Sequence, residues 1–268
     1  MGHFIEVEKG VKIFAEDIGE GQPVVFLHGW PVNHKMFEYQ LNELPEKGYR
    51  FIGIDLRGYG KSDRTKDGYD YDTMADDVKA VIDDLKLDHV VLAGFSMGGP
   101  IALRYMARHE GYKVSKLMLL AAAAPLFTQR DDYPYGLTTE ETDDIITNLQ
   151  TDRPAMLAEF GKMFFESELS EEFKEWFHGL GLEASSYATI KSAEALRDED
   201  GRSDLAKVNV PTAIFHGKKD QICPFEFTEA MSDSIQYSFV IPFENSGHGL
   251  FFDEKEKFKS ELLRFLEQ

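Results

Sequence analysis

Ser96, Asp220 and His248 lie far apart along this chain of 268 residues, yet together they are the types that make a hydroxyl reactive. A serine hydroxyl is a poor nucleophile at neutral pH. It needs a base to take its proton, an acid to orient that base, and N–H donors for the oxyanion that forms on the group attacked. Ser96 sits in Gly94-Phe95-Ser96-Met97-Gly98-Gly99, after the apolar run Val90-Val91-Leu92 and before Ile101, Ala102, Leu103, Tyr105 and Met106, which read as a helix. A strand that enters a helix through so tight a G-x-S-x-G turn is expected to lift its serine clear of the chain, with Gly94, Gly98 and Gly99 where a Cβ would strike a neighbour.

The partners are expected from two later loops. Asp220 follows the apolar run Thr212-Ala213-Ile214-Phe215, so its carboxylate should project from the end of a strand. His248 lies in the glycine-flanked stretch Gly247-His248-Gly249, between the strand Phe239 to Phe243 and the last helix. Of the eight histidines, His3, His34, His89, His109 and His178 occupy polar settings expected to be exposed. His216 is read as structuring the loop that carries Asp220. Met97, at a helix N-terminus, offers one oxyanion amide. Trp30, in His28-Gly29-Trp30-Pro31, offers the other, since Pro31 has no amide of its own.

These residues need a frame that brings loop ends together. Val24 to Leu27, Phe51 to Ile54, Val90 to Ala93, Leu117 to Leu120 and Thr212 to Phe215 are apolar on both faces, as strands of a helix-covered parallel sheet are. Phe4 to Val7 and Val11 to Glu16 alternate around Lys9-Gly10 and predict an antiparallel hairpin at a sheet edge. Met74, Val78, Val81, Ile82 and Leu85 share one helix face, with Asp70 or Asp72 as N-cap. Phe258, Leu262, Phe265 and Leu266 mark a C-terminal helix, for which Asp253 and Glu256 would form a capping box. Alternating strands and helices predict an α/β, doubly wound sheet.

Between about Leu126 and Leu205 the alternation stops, and helical pieces at 140–149, 154–165, 171–177 and 185–196 take over. The expected organisation is therefore a core of residues 1–125 and 206–268 with a helical cap, 126–205, over the sheet's C-terminal edge, where ligands bind in open α/β folds. Phe127, Phe160, Phe164, Trp176, Ile222 and Leu250, together with the Trp30 side chain, are the candidates for the substrate pocket.

Composition narrows the partners. With 48 acidic against 29 basic side chains the net charge is -19, which opposes binding to nucleic acid or an anionic membrane and leaves a small molecule as the expected substrate. Cys223 is the single cysteine, so no intrachain disulfide is expected, and it reads as a small buried hydrophobe. The longest apolar run, Leu117 to Ala124, is too short to span a bilayer, and Met1 to Glu6 carries no targeting pattern. A cytoplasmic protein is expected. No His/Cys cluster has metal-ligand spacing, so neither a metal nor a cofactor is expected.

Taken together, these motifs resemble the α/β-hydrolase fold over essentially the whole chain. More narrowly, the chain is similar to the cofactor-free haloperoxidases, aryl esterases and lactonases that share an H-G-W-P segment, the D-x-R-G-x-G-x-S-D loop (Asp55 to Asp63), G-F-S-M-G-G and a late G-H-G. The order Ser96, Asp220, His248 matches the chain order of triads on that fold. The resemblance implies Ser96 as nucleophile, His248 as base, Asp220 as orienting acid, and the Trp30 and Met97 amides as the oxyanion hole. Asp55 and Arg57 are read as structural. Pro100, directly after Gly99, departs from the pattern but is tolerated in a first helical turn.

The implied reaction is hydrolysis of a small to medium neutral ester or lactone through an acyl-enzyme. Its alternative is perhydrolysis at the same site, where Pro31 would aim the Trp30 carbonyl inward; amide, lactam or carbon–carbon cleavage uses the same triad. A non-catalytic binding protein on this fold would be expected to lack a triad member. Epoxide hydrolase or dehalogenase chemistry is disfavoured, because position 96 is not Asp.

Overall fold

A computed structural model describes all of residues 1–268. Each apolar run expected to form a strand does so. β1 (Gly2–Glu8) and β2 (Val11–Ile18) form the hairpin, followed by β3 (Gln22–Leu27), β4 (Tyr49–Asp55), β5 (Val90–Phe95), β6 (Val114–Leu120), β7 (Thr212–Gly217) and β8 (Ser238–Phe243). They make one eight-stranded sheet in the order β1-β2-β4-β3-β5-β6-β7-β8. The β1–β2 and β2–β4 pairs are antiparallel, and every other pair is parallel. β5 is buried along its whole length, so continuous apolarity there is required on both faces.

The helices are α1 (Glu38–Glu46), α2 (Tyr71–Asp84), α3 (Gly98–Arg108), α4 (Thr139–Gly161), α5 (Glu171–Leu182), α6 (Ser186–Asp198), α7 (Arg202–Leu205), α8 (Phe227–Ser234), α9 (Leu250–Asp253) and α10 (Lys255–Glu267). Asp70, not Asp72, caps α2, its side chain accepting from the Thr73 amide at 2.8 Å. Phe258, Leu262, Phe265 and Leu266 of α10 are buried, each such side chain contributing about 1.5–3 kcal/mol. No helix is long and apolar enough to cross a membrane.

α4, α5 and α6 lie between β6 and β7 in the chain, and α4 packs against both of the others. The pieces predicted at 140–149 and 154–165 fall on the single interrupted helix α4, which ends at Gly161, so residues 162–165 lie beyond it. Asp152 breaks it with φ -147° and ψ 79°, and the Asp152 carboxylate recaps the second half by accepting from Ala155 N at 3.1 Å. Pro154 belongs just inside such a restart, because it has no N–H to leave unpaired.

Two expectations fail. His34 is buried, its Nδ1–H donating to Asp55 Oδ1 at 2.7 Å, and His3, His109 and His178 are half-buried, so of the five histidines expected at the surface only His89 is exposed. The partner lies 21 residues downstream and is reached only because β4 runs alongside. Asp253 and Glu256 form no capping box, and α10 starts without a side-chain cap. Asp253 faces the other way, toward the segment that follows α4. Arg57 and Asp55 are structural: Arg57 forms a buried two-pronged pair with Asp77 (2.6 and 2.7 Å), and Asp55 accepts from His34 N and Lys61 N.

Candidate active site

The turn between β5 and α3 forces Ser96 into the left-handed region, at φ 50°, a costly conformation for a residue with a side chain. Backbone bonds hold it there: Ser96 N donates to Leu120 O at 2.9 Å, while Ser96 O accepts from Gly99 N and Ala123 N. Gly94 and Gly98 are dictated by contact. A Cβ on Gly94 would collide with the Gly98 carbonyl oxygen, and one on Gly98 with the Leu27 carbonyl oxygen of β3.

Asp220 emerges just beyond β7 and has both carboxylate oxygens occupied. Oδ1 accepts from Ile222 N and Cys223 N, each at 2.9 Å, and Oδ2 accepts from His248 Nδ1 at 2.7 Å. Nearby, His216 Nε2–H donates to Cys223 O at 2.8 Å and so closes the loop that carries Asp220. Burial lowers the pKa of His216, against the pull of the Asp220 charge. His248 is fully buried, its ring centroid 4.8 Å from that of Phe95 and 5.0 Å from that of Phe164. With Nδ1 bound to Asp220, the Nε2 of His248 is buried without a protein partner. A histidine so arranged can take a proton from a hydroxyl brought to its free nitrogen.

At the end of β3, His28 Nδ1–H donates to Gly29 O at 2.9 Å and Nε2 accepts from Leu56 N at 3.0 Å. Complete burial brings its pKa down to about 4, so the ring is neutral and serves to fix the turn. The Gly29 backbone lies against Ser96, where a Cβ would strike the Ser96 Cβ. The next amide, Trp30 N, and the amide after the serine, Met97 N, both belong to buried residues and neither donates to any protein acceptor. Buried amides are almost always paired. Two unpaired ones beside one serine can receive a developing negative charge.

Beside them is a narrow pocket lined by Trp30, Ser96, Phe127, Thr142, Ile145, Phe160, Ala193, Leu196 and Ile222. Trp30 is held by its indole Nε1–H, which donates to Thr189 O of α6 at 2.9 Å, and by an edge-on contact with Phe160. Phe164 packs on His248 and does not line the cavity. Trp176 packs on Phe173 and Phe177 of α5 away from it, and Leu250 is buried at the start of α9. Thr142, Ile145, Ala193 and Leu196 join the wall from α4 and α6 without having been anticipated. The i, i+3 spacing of Thr142 with Ile145, and of Ala193 with Leu196, was the available signal. No group of three or more His, Cys, Asp or Glu side chains is placed to hold a metal.

A serine on a strand–turn–helix, an aspartate beyond a later strand and a histidine after the last one define a class that the family comparison identifies. A model of the alpha/beta hydrolase fold matches residues 22–255, and the chain belongs to that family of enzymes. It is 60% identical over 265 residues to AB hydrolase superfamily protein YisY of Bacillus subtilis (strain 168), covering 99% of each chain. Among solved structures it is similar to an esterase (EaEST) from Exiguobacterium antarcticum, 57% identical with a TM-score of 0.98 over 100% of both chains. A bromoperoxidase from Bacillus anthracis is 34% identical, with a TM-score of 0.96 over 100% of both chains. The chain thus falls in the branch of esterases and haloperoxidases.

Proposed function

We propose that this α/β-hydrolase is a serine esterase or lactonase that works through an acyl-enzyme. The observation that carries the reading is the pair of acceptor-free amides, Trp30 N and Met97 N, beside Ser96, together with a His248 whose Nδ1 is bound to Asp220 and whose Nε2 is free. Ser96 Oγ attacks the substrate carbonyl carbon while His248 Nε2 takes the hydroxyl proton. The carbonyl oxygen becomes an oxyanion held by the two amides. On collapse the bond to the leaving alcohol breaks and His248 returns the proton to that oxygen. Water then repeats the sequence on the acyl-serine, releasing the acid, while Asp220 holds the imidazole tautomer throughout.

The cavity has no charged side chain in its wall, which supports a small to medium neutral substrate. In this reading residues 126–205 are a cap whose helices α4 and α6 supply that wall. The esterase from Exiguobacterium antarcticum supports ester chemistry by its identity of 57%. The single buried cysteine and the lack of a membrane-crossing helix support a cytoplasmic setting.

Triads of this kind contribute on the order of 10⁶-fold. Ser96→Ala is therefore expected to abolish measurable turnover of p-nitrophenyl acetate, and a fluorophosphonate is expected to label the wild type at Ser96 alone. Wild-type turnover by Ser96→Ala would overturn the assignment. Perhydrolysis is the second reading, favoured by the likeness to the bromoperoxidase from Bacillus anthracis. Hydrogen peroxide would replace water in the second half-reaction and leave as a peracid. Acetate-dependent bromination, compared with ester hydrolysis at equal enzyme, is expected to be the slower of the two. The opposite order would make perhydrolysis the main activity.

A further inference from the structure

His248 carries the proton in the proposed reaction, yet nothing in its own loop explains how its backbone is held. The three residues before it hang from two carboxylates. Asn245 N and Ser246 Oγ donate to Glu254 Oε2 at 2.9 and 2.8 Å, and Gly247 N donates to Asp253 Oδ2 at 2.9 Å. Glu254 touches only this loop. Asp253 does more, because its carboxylate also accepts three bonds from the segment between α4 and α5: Glu166 N at 3.1 Å, Ser167 N at 3.0 Å and Ser167 Oγ at 2.7 Å. On the other side of the histidine, Gly249 N donates to Phe164 O at 2.6 Å.

Both amides flanking His248 are thus tied, one through Asp253 and one directly, to residues 164–167. The glycines permit the approach. A Cβ on Gly247 would crowd the Phe164 carbonyl oxygen, and one on Gly249 would collide with the Phe165 ring. The Phe164 ring meanwhile lies against the imidazole, 5.0 Å between centroids.

We propose that Asp253 is a positioning residue that couples residues 164–167 to His248, so that the segment joining α4 to α5 and the proposed base keep or lose their geometry together. The proposal rests on the esterase reading for its kinetic consequence but not for its structural one. A carboxylate accepting four donors is a strong, directional clamp. Loosening it displaces the imbedded imidazole relative to Ser96 without altering the cavity wall, so the chemical step suffers and substrate affinity does not. A displacement of about 1 Å at a reacting group costs on the order of 10²-fold.

The test compares Asp253→Asn, Ser167→Ala and Glu254→Gln in the full chain. With p-nitrophenyl acetate, Asp253→Asn is expected to lose about 10- to 100-fold in kcat with KM within about two-fold, since one amide group of the asparagine faces N–H donors it cannot satisfy. Ser167→Ala, which removes one of the four bonds, is expected to lose far less. Hydrogen–deuterium exchange without substrate supplies a readout independent of activity. In Asp253→Asn, exchange should accelerate together over 164–167 and 247–249, whereas in Glu254→Gln it should accelerate near Asn245 alone. Faster exchange confined to 164–167, or an unchanged kcat in a folded Asp253→Asn, overturns the coupling. If the asparagine variant does not fold, the exchange pattern of Ser167→Ala decides in the same way. Absent ester turnover and absent fluorophosphonate labelling in the wild type would instead strike the esterase reading and leave the exchange experiment standing.

Discussion

Cys223 shows how environment decides what a reactive residue type does. Burial and the Asp220 charge push its thiol well up, so the thiolate that reacts is scarce. The native protein is expected to be inert to 5,5'-dithiobis(2-nitrobenzoate) for hours and to release one equivalent of thiol in urea; rapid release from the native state would contradict this burial. His28 makes the same point through protons. Its folded pKa of about 4 lies below the 6.5 of an unfolded histidine, so between those values the unfolded chain takes up a proton that the folded one refuses. Its contribution to stability is intact above pH 6.5 and is lost as pH falls toward 4, by roughly 3 kcal/mol in all. Urea midpoints for the wild type and His28→Gln should therefore have different pH slopes in that window, shallower in the variant. Parallel slopes would mean that the ring is not held neutral by the fold.

At the scale of elements, the Arg57–Asp77 pair fastens α2 to the loop after β4, with side chains only 2% and 6% exposed. Asp77→Ala leaves a buried guanidinium without its two-pronged partner and is expected to cost about 3–5 kcal/mol, read as a shift in urea midpoint. A loss below 1 kcal/mol would show that Glu8, 3.0 Å from Arg57 Nη1, suffices. Elements were legible in the sequence wherever burial on both faces left continuous apolar runs, as in β5 and β7, or wherever a cap stood at a helix start, as with Asp70. The serine turn was legible because its glycines answer to backbone contacts only a few residues or one strand away. What escaped was set by partners distant along the chain. Asp253 has the type and position of a helix cap, and nothing local reveals that residues 166 and 167 will claim it. His34 looks like a surface histidine until β4 brings Asp55 beside it. Trp176 and Ile145 both stand on partly apolar helix faces, and only the packing of α4 against α5 and α6 turns Ile145 toward the cavity and Trp176 away from it.

At the scale of the whole molecule, a net charge of -19 surrounds a cavity with no charged wall residue. An ester bearing a carboxylate must approach against that field, whose reach shrinks from about 30 Å at 0.01 M ionic strength to about 8 Å at 0.15 M. Its kcat/KM is expected to rise with added salt while that of a neutral ester of equal size stays flat. Identical salt responses would locate the discrimination in the cavity itself. The strand order carries one more consequence, for the making of the protein. Ser96 follows a strand at the middle of the sheet, whereas Asp220 and His248 follow β7 and β8, the last to be synthesised and the outermost on their side. A growing chain can complete the Ser96 turn long before the ribosome delivers His248, the proposed base. If Ser96, Asp220 and His248 act as proposed, the nascent chain is expected to be inert until β8 docks at the sheet edge, so that catalysis itself would report that the sheet has closed its last register.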